Sequence, residues 1–251
     1  MLADIDLAWS AGEHCVVVGP NGAGKSLLLQ LIAGLRSPSS GQVERQSPEL
    51  RVGIVFQTPD DQIVGSTVER DLAFGLENLG LPTDEMHARV DDMLERLELR
   101  DRRRSPPHLL SEGEKQRLAL GAALVMNPGV LLLDEPTSRL DPEGRRLFLR
   151  EVRRVREERG TTVVLVTHRS EEVLPADRAI ALESGRVVFD GAPPELLAPE
   201  WDPRAGIRWS DLHRLRQQLA AAGVRVAPST GEGWNDPGEL LAGLGIEEHA
   251  S

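Results

Sequence analysis

Apolar residues recur along this chain in two rhythms. Runs such as "HCVVV" (14–18), "VLLLD" (130–134) and "TVVLV" (162–166) are apolar at nearly every position and have strand length. Continuity of that kind belongs to strands buried on both faces, as in a parallel sheet. Further runs at 51–56, 179–182 and 186–189 bring the expected strands to six. Helical spacing fills the stretches 25–35, 67–79, 84–98, 112–126 and 142–158. The alternation predicts an α/β fold, a mostly parallel sheet with helices on both faces. Between 58 and 127 the rhythm is almost wholly helical, which predicts a helical insertion in the α/β core. "ESGRVV" predicts a hairpin, hence an antiparallel element, near the end of that core. After "GAPPELLAPEWDPRAG" the character changes, and the tail carries three of the four Trp residues (201, 209, 234). A core domain over 1–192 and a small C-terminal helical domain over 193–251 are the expected organisation.

Composition narrows the classes. With 251 residues, 40% hydrophobic and 27% charged, the chain can bury a real core. No apolar run approaches the ~18 residues of a spanning helix, and the start lacks the basic-then-apolar pattern of a secretory signal. A cytoplasmic protein is expected, with any membrane role exercised through a partner. The net charge of −11 argues against nucleic acid as a partner. It suits a basic protein surface, such as the Lys/Arg-rich cytoplasmic loops of a membrane protein. Cys15 stands alone, which excludes an internal disulfide, and the six His residues (14, 87, 108, 168, 213, 249) show no ligand spacing for zinc.

Four stretches carry chemistry. "VVVGPNGAGKSLLLQLIAGL" places G-x-x-x-x-G-K-S between a strand and a helix, the context of a phosphate-binding loop. Gly19, Pro20, Asn21, Gly22, Ala23, Gly24, Lys25, Ser26 and Leu27 make it up. Backbone N–H groups and the helix N-terminus favour phosphate there. Lys25 is placed for the outer phosphates and Ser26 for Mg²⁺. "VLLLDEP" ends a buried strand on Asp134, an expected Mg²⁺-shell residue, followed by Glu135, the expected general base. "VVLVTH" ends on His168, a contact for the γ-phosphate or the attacking water. Finally, "LLSEGEKQRLALG" opens a helix at Ser111, with Glu114 three residues on, and reads as a capping box that needs no ligand. A nucleotide kinase or a GTPase would share the first three.

"LLSEGEKQR" directly before "VLLLDEPTSRLD" separates these readings, because in that order the motifs resemble the ATP-binding cassette (ABC) ATPases over residues 5–190 or so. The resemblance implies a phosphate-loop NTPase core with an antiparallel β subdomain and a helical insertion. It implies ATP and Mg²⁺ as ligands, with Gln57 as the Q-loop residue beside the metal. Ser111, Glu112, Gly113 and Glu114 stand in the signature that acts on the ATP of a second ATPase subunit, with Ser111 donating to its γ-phosphate. Ser138 and Asp141 belong to the D-loop, and His168 is the switch histidine.

"VFQTPDDQIVGSTVERDLAFGLENLGLP" sharpens the likeness to the ATPases of energy-coupling factor transporters, the group of cobalt and vitamin importers. Implied partners are a transmembrane coupling subunit with Arg-bearing helices and a separate substrate-binding membrane subunit, with the ATPase on the cytoplasmic face of the membrane. Asp60, Asp61, Glu69 and Asp71 are the expected coupling contacts, and the C-terminal domain is expected to aid dimerisation.

Three departures from that pattern stand out. Glu112 and Glu114 replace a Gly and a Gln of the usual Leu-Ser-Gly-Gly-Gln. Leu27 replaces a Thr that contacts the α-phosphate, which removes one hydrogen bond worth on the order of 1–3 kcal/mol. The strand that usually precedes "MLADIDLAWSAGEH" is expected to be missing, leaving Trp9, read as packing, as the one aromatic before the phosphate loop. Two alternatives stay open: the ATPase of another ABC transporter class, and a catalytically weak ATP-binding member of a heterodimer.

Overall fold

The computed structural model describes residues 1–196. The expected C-terminal domain, beyond its first residues, lies outside the described residues. The described residues hold six strands: β1 (His14–Val18), β2 (Val52–Val55), β3 (Val130–Asp134), β4 (Thr162–Val166), β5 (Arg178–Glu183) and β6 (Arg186–Gly191). The helices are α1 (Lys25–Ala33), α2 (Val68–Asn78), α3 (Thr83–Arg96), α4 (Glu112–Leu124), α5 (Pro142–Arg159) and the short α6 (Ser170–Val173) and α7 (Pro193–Leu196). The chain divides into two compact units. One comprises Met1–Ile5, Cys15–Lys25 and the described residues from Thr167; the other comprises Asp6–His14 and Ser26–Val166.

In the larger unit β2, β3 and β4 form a parallel run, with Val52 opposite Val130 and Leu132 opposite Val164. Leu131–Leu133 and the whole of β4 are buried, which is why these strands show no polar alternation. In the smaller unit β1 runs parallel to β5, and β5 runs antiparallel to β6. The expected hairpin is here, closed by Ser184 (φ 51°) and Gly185 (φ 82°). Two consecutive left-handed residues make the two-residue turn whose twist matches the strands it joins. Residues 1–13 form no strand. Instead the turn at 10–13 is fastened within the larger unit. Gly12 N–H donates to Thr162 Oγ1 at 3.0 Å, and Arg156 Nε donates to the Gly12 carbonyl at 2.9 Å. Trp9 is half-buried beside that turn.

Helices α2, α3 and α4 make the insertion between β2 and β3. Their close approach depends on Gly121 of α4. A Cβ there would stand 2.4 Å from Leu97 Cδ1 and 2.9 Å from Leu72 Cδ2, inside contact distance. The insertion is tied to α5 by a buried ion pair, Arg96 Nε to Glu151 Oε2 at 2.9 Å, with both side chains about 5% exposed or less. Asp92 adds a second, longer contact to Arg96 at 3.7 Å. Taking one partner away leaves a desolvated charge uncompensated, at a cost of about 3–5 kcal/mol, whereas replacing both by apolar groups is close to neutral. Glu151→Ala is therefore expected to lower unfolding stability by about 3 kcal/mol or more in chemical denaturation. The Arg96→Met/Glu151→Leu double variant is expected to recover most of that loss; equal losses in the two would refute a paired-charge role.

Candidate active site

In the smaller unit β1 runs into the loop Gly19–Lys25. Gly19 has φ 148°, and a Cβ on it would lie 2.2 Å from the Leu182 carbonyl oxygen of β5, so no side chain fits. The buried Lys25 turns its ammonium back onto the loop, donating to the Gly19 carbonyl at 2.8 Å and the Pro20 carbonyl at 3.2 Å. Asn21 and Gly22 are exposed at the loop's crest and Ala23 is buried beneath it. His168 is in the same unit, half-buried. The residue before it, Thr167, donates its hydroxyl to the buried Glu172 carboxylate at 2.5 Å and accepts from Arg169 N–H at 3.1 Å. Thr167 N–H also donates to the Val17 carbonyl of β1 at 3.2 Å, so the turn bearing His168 is held on both sides.

In the larger unit β3 ends on Asp134, a buried carboxylate. Glu135 follows with φ 45°, a left-handed backbone uncommon outside glycine, while its N–H donates to the Val166 carbonyl of β4 at 3.0 Å. Gln57 reaches this point from the far side of the insertion and donates its amide to Glu135 Oε2 at 3.2 Å. Ser26 and Leu27, in the first turn of α1, belong to this unit; Ser26 is exposed and Leu27 half-buried. After Glu135 the chain turns through Ser138, which is exposed, to Asp141. Asp141 caps α5, accepting from Gly144 N–H at 2.8 Å, with Pro142 in the first helical position.

Ser111 caps α4 in the same unit. Its hydroxyl accepts from Glu114 N–H at 3.2 Å, and Glu114 accepts from Ser111 N–H at 2.8 Å, a complete capping box. Glu112 and Glu114 are both engaged by cations. Glu114 takes Arg102 Nε at 3.0 Å, and Glu112 takes Lys115 at 3.2 Å and Arg139 at 3.5 Å. Partial burial works against the Glu114 charge, but the Ser111 N–H and the Arg102 guanidinium outweigh it and hold its carboxyl below the usual range. Gly113 is half-buried, and a Cβ on it would meet Leu140 and Arg117 at ordinary contact distance.

Phosphate loop, acidic strand end, glutamine and capped signature helix are those of one known family. The family model for the ABC transporter matches residues 2–138. The chain is 38% identical over 238 residues to the energy-coupling factor transporter ATP-binding protein EcfA1 of Caldanaerobacter subterraneus, spanning 90% of this chain and 86% of that one. It is 45% identical over 208 residues to the protein of the same name from Symbiobacterium thermophilum, 78% and 72% of the two chains. The chain belongs to the ABC transporter ATPases, in their energy-coupling factor branch.

Two solved structures extend the likeness to the fold. One is cbiO1 from Clostridium perfringens, described as part of the ABC transporter complex cbiONQ, with a TM-score of 0.71, 34% identity and 88% and 90% of the two chains covered. The other is a dimeric ATP-binding cassette in a post-hydrolysis state with ADP and Pi, with a TM-score of 0.70, 28% identity and 76% and 90% covered. This ATPase therefore binds ATP and hydrolyses it in the service of transport.

The four acidic residues expected to meet a coupling subunit are placed differently from one another. Asp60 and Asp61 are exposed and Glu69 half-buried. Asp60 pairs with Lys115 at 2.9 Å and Glu69 with Arg103 at 2.5 Å. Asp71 is buried, 4% exposed, and does not line a surface. Its carboxylate accepts from the Val64 and Gly65 N–H groups, both at 2.8 Å, and so folds the segment ahead of α2 back on itself. That correction has a local cause: the loop's two backbone donors need an acceptor, and Asp71 stands one helical turn inside α2 to supply it.

Residues the motifs did not point to are Gln116, Thr167 and Glu172. A signal existed for Gln116: a carboxamide on the face of α4 that also carries Leu120 and Ala123 has to find a partner.

Burial raises the Asp71 carboxyl above its ordinary value, and the Gly65 and Val64 N–H bonds offset only part of the rise. The folded state then binds more protons than the unfolded one between the two pKa values. Asp71's contribution to stability is full below the unfolded value, ~4, and is lost as pH rises through the folded value. Asp71→Ala is expected to cost about 1–3 kcal/mol by leaving two N–H groups unpaired. Asp71→Asn keeps an acceptor oxygen and should cost less than alanine. Wild type should gain stability relative to Asp71→Asn as pH falls toward ~4, which denaturation across that range measures.

Proposed function

We propose that this chain is one of two ATPase subunits that close on ATP beneath a transmembrane coupling subunit, on the cytoplasmic face of the membrane, and drive uptake of a vitamin or a transition-metal ion. A separate membrane subunit selects the solute. The observation that carries the reading is the Gln57–Glu135 contact, with Glu135 at the end of a buried strand and Ser111 exposed at the capped start of α4. One unit thus bears both a general base for its own ATP and a donor group for another subunit's ATP.

The chemistry follows from the side chains. Lys25 and the phosphate-loop N–H groups hold the phosphates; on ATP binding Lys25 exchanges its carbonyl partners for phosphate oxygens. Glu135 accepts a proton from the attacking water, which Gln57 helps to orient. His168 contacts the γ-phosphate, and Ser111, with Gly113 admitting close approach, donates to the γ-phosphate held by the second subunit. Ser138 and Asp141 stand in the D-loop.

Ser26, Gln57 and Asp134 offer hydroxyl, amide and carboxylate oxygens, the hard donors that suit Mg²⁺. Among the described residues no group of three or more His, Cys, Asp or Glu gathers as a cage. Mg²⁺ usually takes one or two protein ligands and completes its shell with phosphate and water, so the donor set fits. When bound it neutralises charge on the β- and γ-phosphate oxygens.

Several points support the wider assembly. The cbiO1 structure is described as part of an ABC transporter complex. No described helix is long and apolar enough to cross a membrane, and in this reading the partner subunits hold the ATPase at the membrane. Asp60, Asp61 and Glu69 are accessible for Arg-bearing helices of a coupling subunit, although Asp60 and Glu69 would have to leave or share their internal cations. The ion pairs of Glu112 and Glu114 keep the two extra charges of the signature neutralised, which favours an active signature over a weak one.

Light scattering on the Glu135→Gln variant tests the reading. Removal of the base should abolish turnover, by about 10²–10⁴-fold, and trap the closed pair. The solution mass should double on addition of Mg·ATP. A mass that stays constant, with ATP bound by titration on the same sample, would refute closure onto an identical subunit.

A further inference from the structure

Gln57 lies in a segment, Phe56–Gln62, that is fastened to the signature helix α4 at both ends. At the first end the carboxamide of Gln116, 3% exposed, donates to the Phe56 carbonyl at 3.1 Å. The Phe56 N–H is taken too, donating to Gln62 Oε1 at 2.8 Å, and Gln62 Nε2 makes longer bonds of 3.5 Å to the carbonyls of Ile54 and Ala119. Both peptide groups of the residue just before Gln57 are therefore fixed, one of them directly by α4. At the far end Lys115, the neighbour of Gln116 on the helix, pairs with Asp60 at 2.9 Å while also holding Glu112.

A buried glutamine costs stability unless its polar atoms are bonded, and an apolar side chain would fill the same position without that cost. The bond it makes reaches the backbone one residue from Gln57. Gln57 has no such anchor of its own. Its side chain is exposed, and its amide donates to Glu135. The direction of its amide is thus set by the backbone that Gln116 and Lys115 hold.

We propose that Lys115 and Gln116 are positioning residues for hydrolysis: they clamp the Phe56–Gln62 segment so that the Gln57 amide meets Glu135. Because both stand in the first turns of the helix capped by Ser111, they tie the geometry of the chain's own hydrolytic site to the signature it offers to a second subunit. The inference rests on the roles given above to Gln57 and Glu135.

Three variants of the full chain test it: Gln116→Leu, Lys115→Met and, as the reference, Gln57→Ala. Two readouts are taken: steady-state ATP hydrolysis, and amide hydrogen exchange over residues 56–62 without nucleotide. Gln116→Leu and Lys115→Met are expected to lower kcat by about ten- to a hundredfold, the cost of misplacing an oriented group by ~1 Å, with KM for ATP unchanged. Exchange over 56–62 should rise in both, while the exchange of α5 stays parental. If Gln116→Leu fails to fold, Lys115→Met, which alters a pair at the protein surface, carries the test alone. Parental kcat and exchange in the clamp variants, beside a Gln57→Ala variant that has lost turnover, would overturn the positioning role and leave the reading of Gln57 standing. Parental turnover in Gln57→Ala would overturn that reading, and the positioning role with it.

Discussion

The bond from Glu135 N–H to the Val166 carbonyl is the constraint on which the proposed hydrolytic half of the site depends. Glu135 has left the extended conformation of β3, and a left-handed backbone on a non-glycine residue costs on the order of 1–2 kcal/mol. The β3–β4 ladder runs up to this point through Asp134 opposite Val166. The extra bond prolongs it by one residue and offsets that cost. The turn that follows, with Ser138 N–H on the Glu135 carbonyl, then delivers the chain to the Asp141 cap of α5. Glu135, the proposed base, the turn through Ser138 and the start of α5 are thus set by one strand end.

Charge is handled locally in this acidic protein. Around the start of α4 each carboxylate has a cation within reach: Glu114 has Arg102, Glu112 has Lys115 and Arg139, and Asp60 has Lys115. Exposed pairs of this kind contribute little stability one at a time. Their effect is on the local field: Ser111, which the proposed pairing turns toward a second subunit's ATP, stands among compensated carboxylates. Asp60 lifts the Lys115 pKa first and Glu112 next, so the ammonium stays charged wherever the carboxylates are.

Much of the fold was legible because its signals are local. All-apolar runs marked β3 and β4, "ESGRVV" marked the β5–β6 hairpin, and Ser111 with Glu114 marked the start of α4; each rests on neighbours within a few residues. The phosphate loop was legible for the same reason. Asp71 was not, because its partners Val64 and Gly65 make it an internal acceptor only once the chain has doubled back. Gln116 and Glu172 went unread for a related reason. Their bonds to Phe56 and Thr167 are made in three dimensions, and a lone Gln or Glu in a helical stretch carries no mark of its acceptor. The Asp141 cap has a local signal as well, Asp-Pro before a helical run, in addition to the D-loop likeness that the same residue carries.

The position of the insertion has a consequence for how the chain is made. Strand β2 finds its ladder partner only at Val130–Leu133, with α2, α3 and α4 lying between them in sequence. Contacts among those three helices are short-range and form early, whereas the β2–β3 pairing must close a long loop. During synthesis at ≈ 5–20 residues per second, β2 waits several seconds with its backbone donors and acceptors unpaired. Helix α4, which opens on the signature sequence and lies against β2, is made before β3 and can shield that strand in the interval.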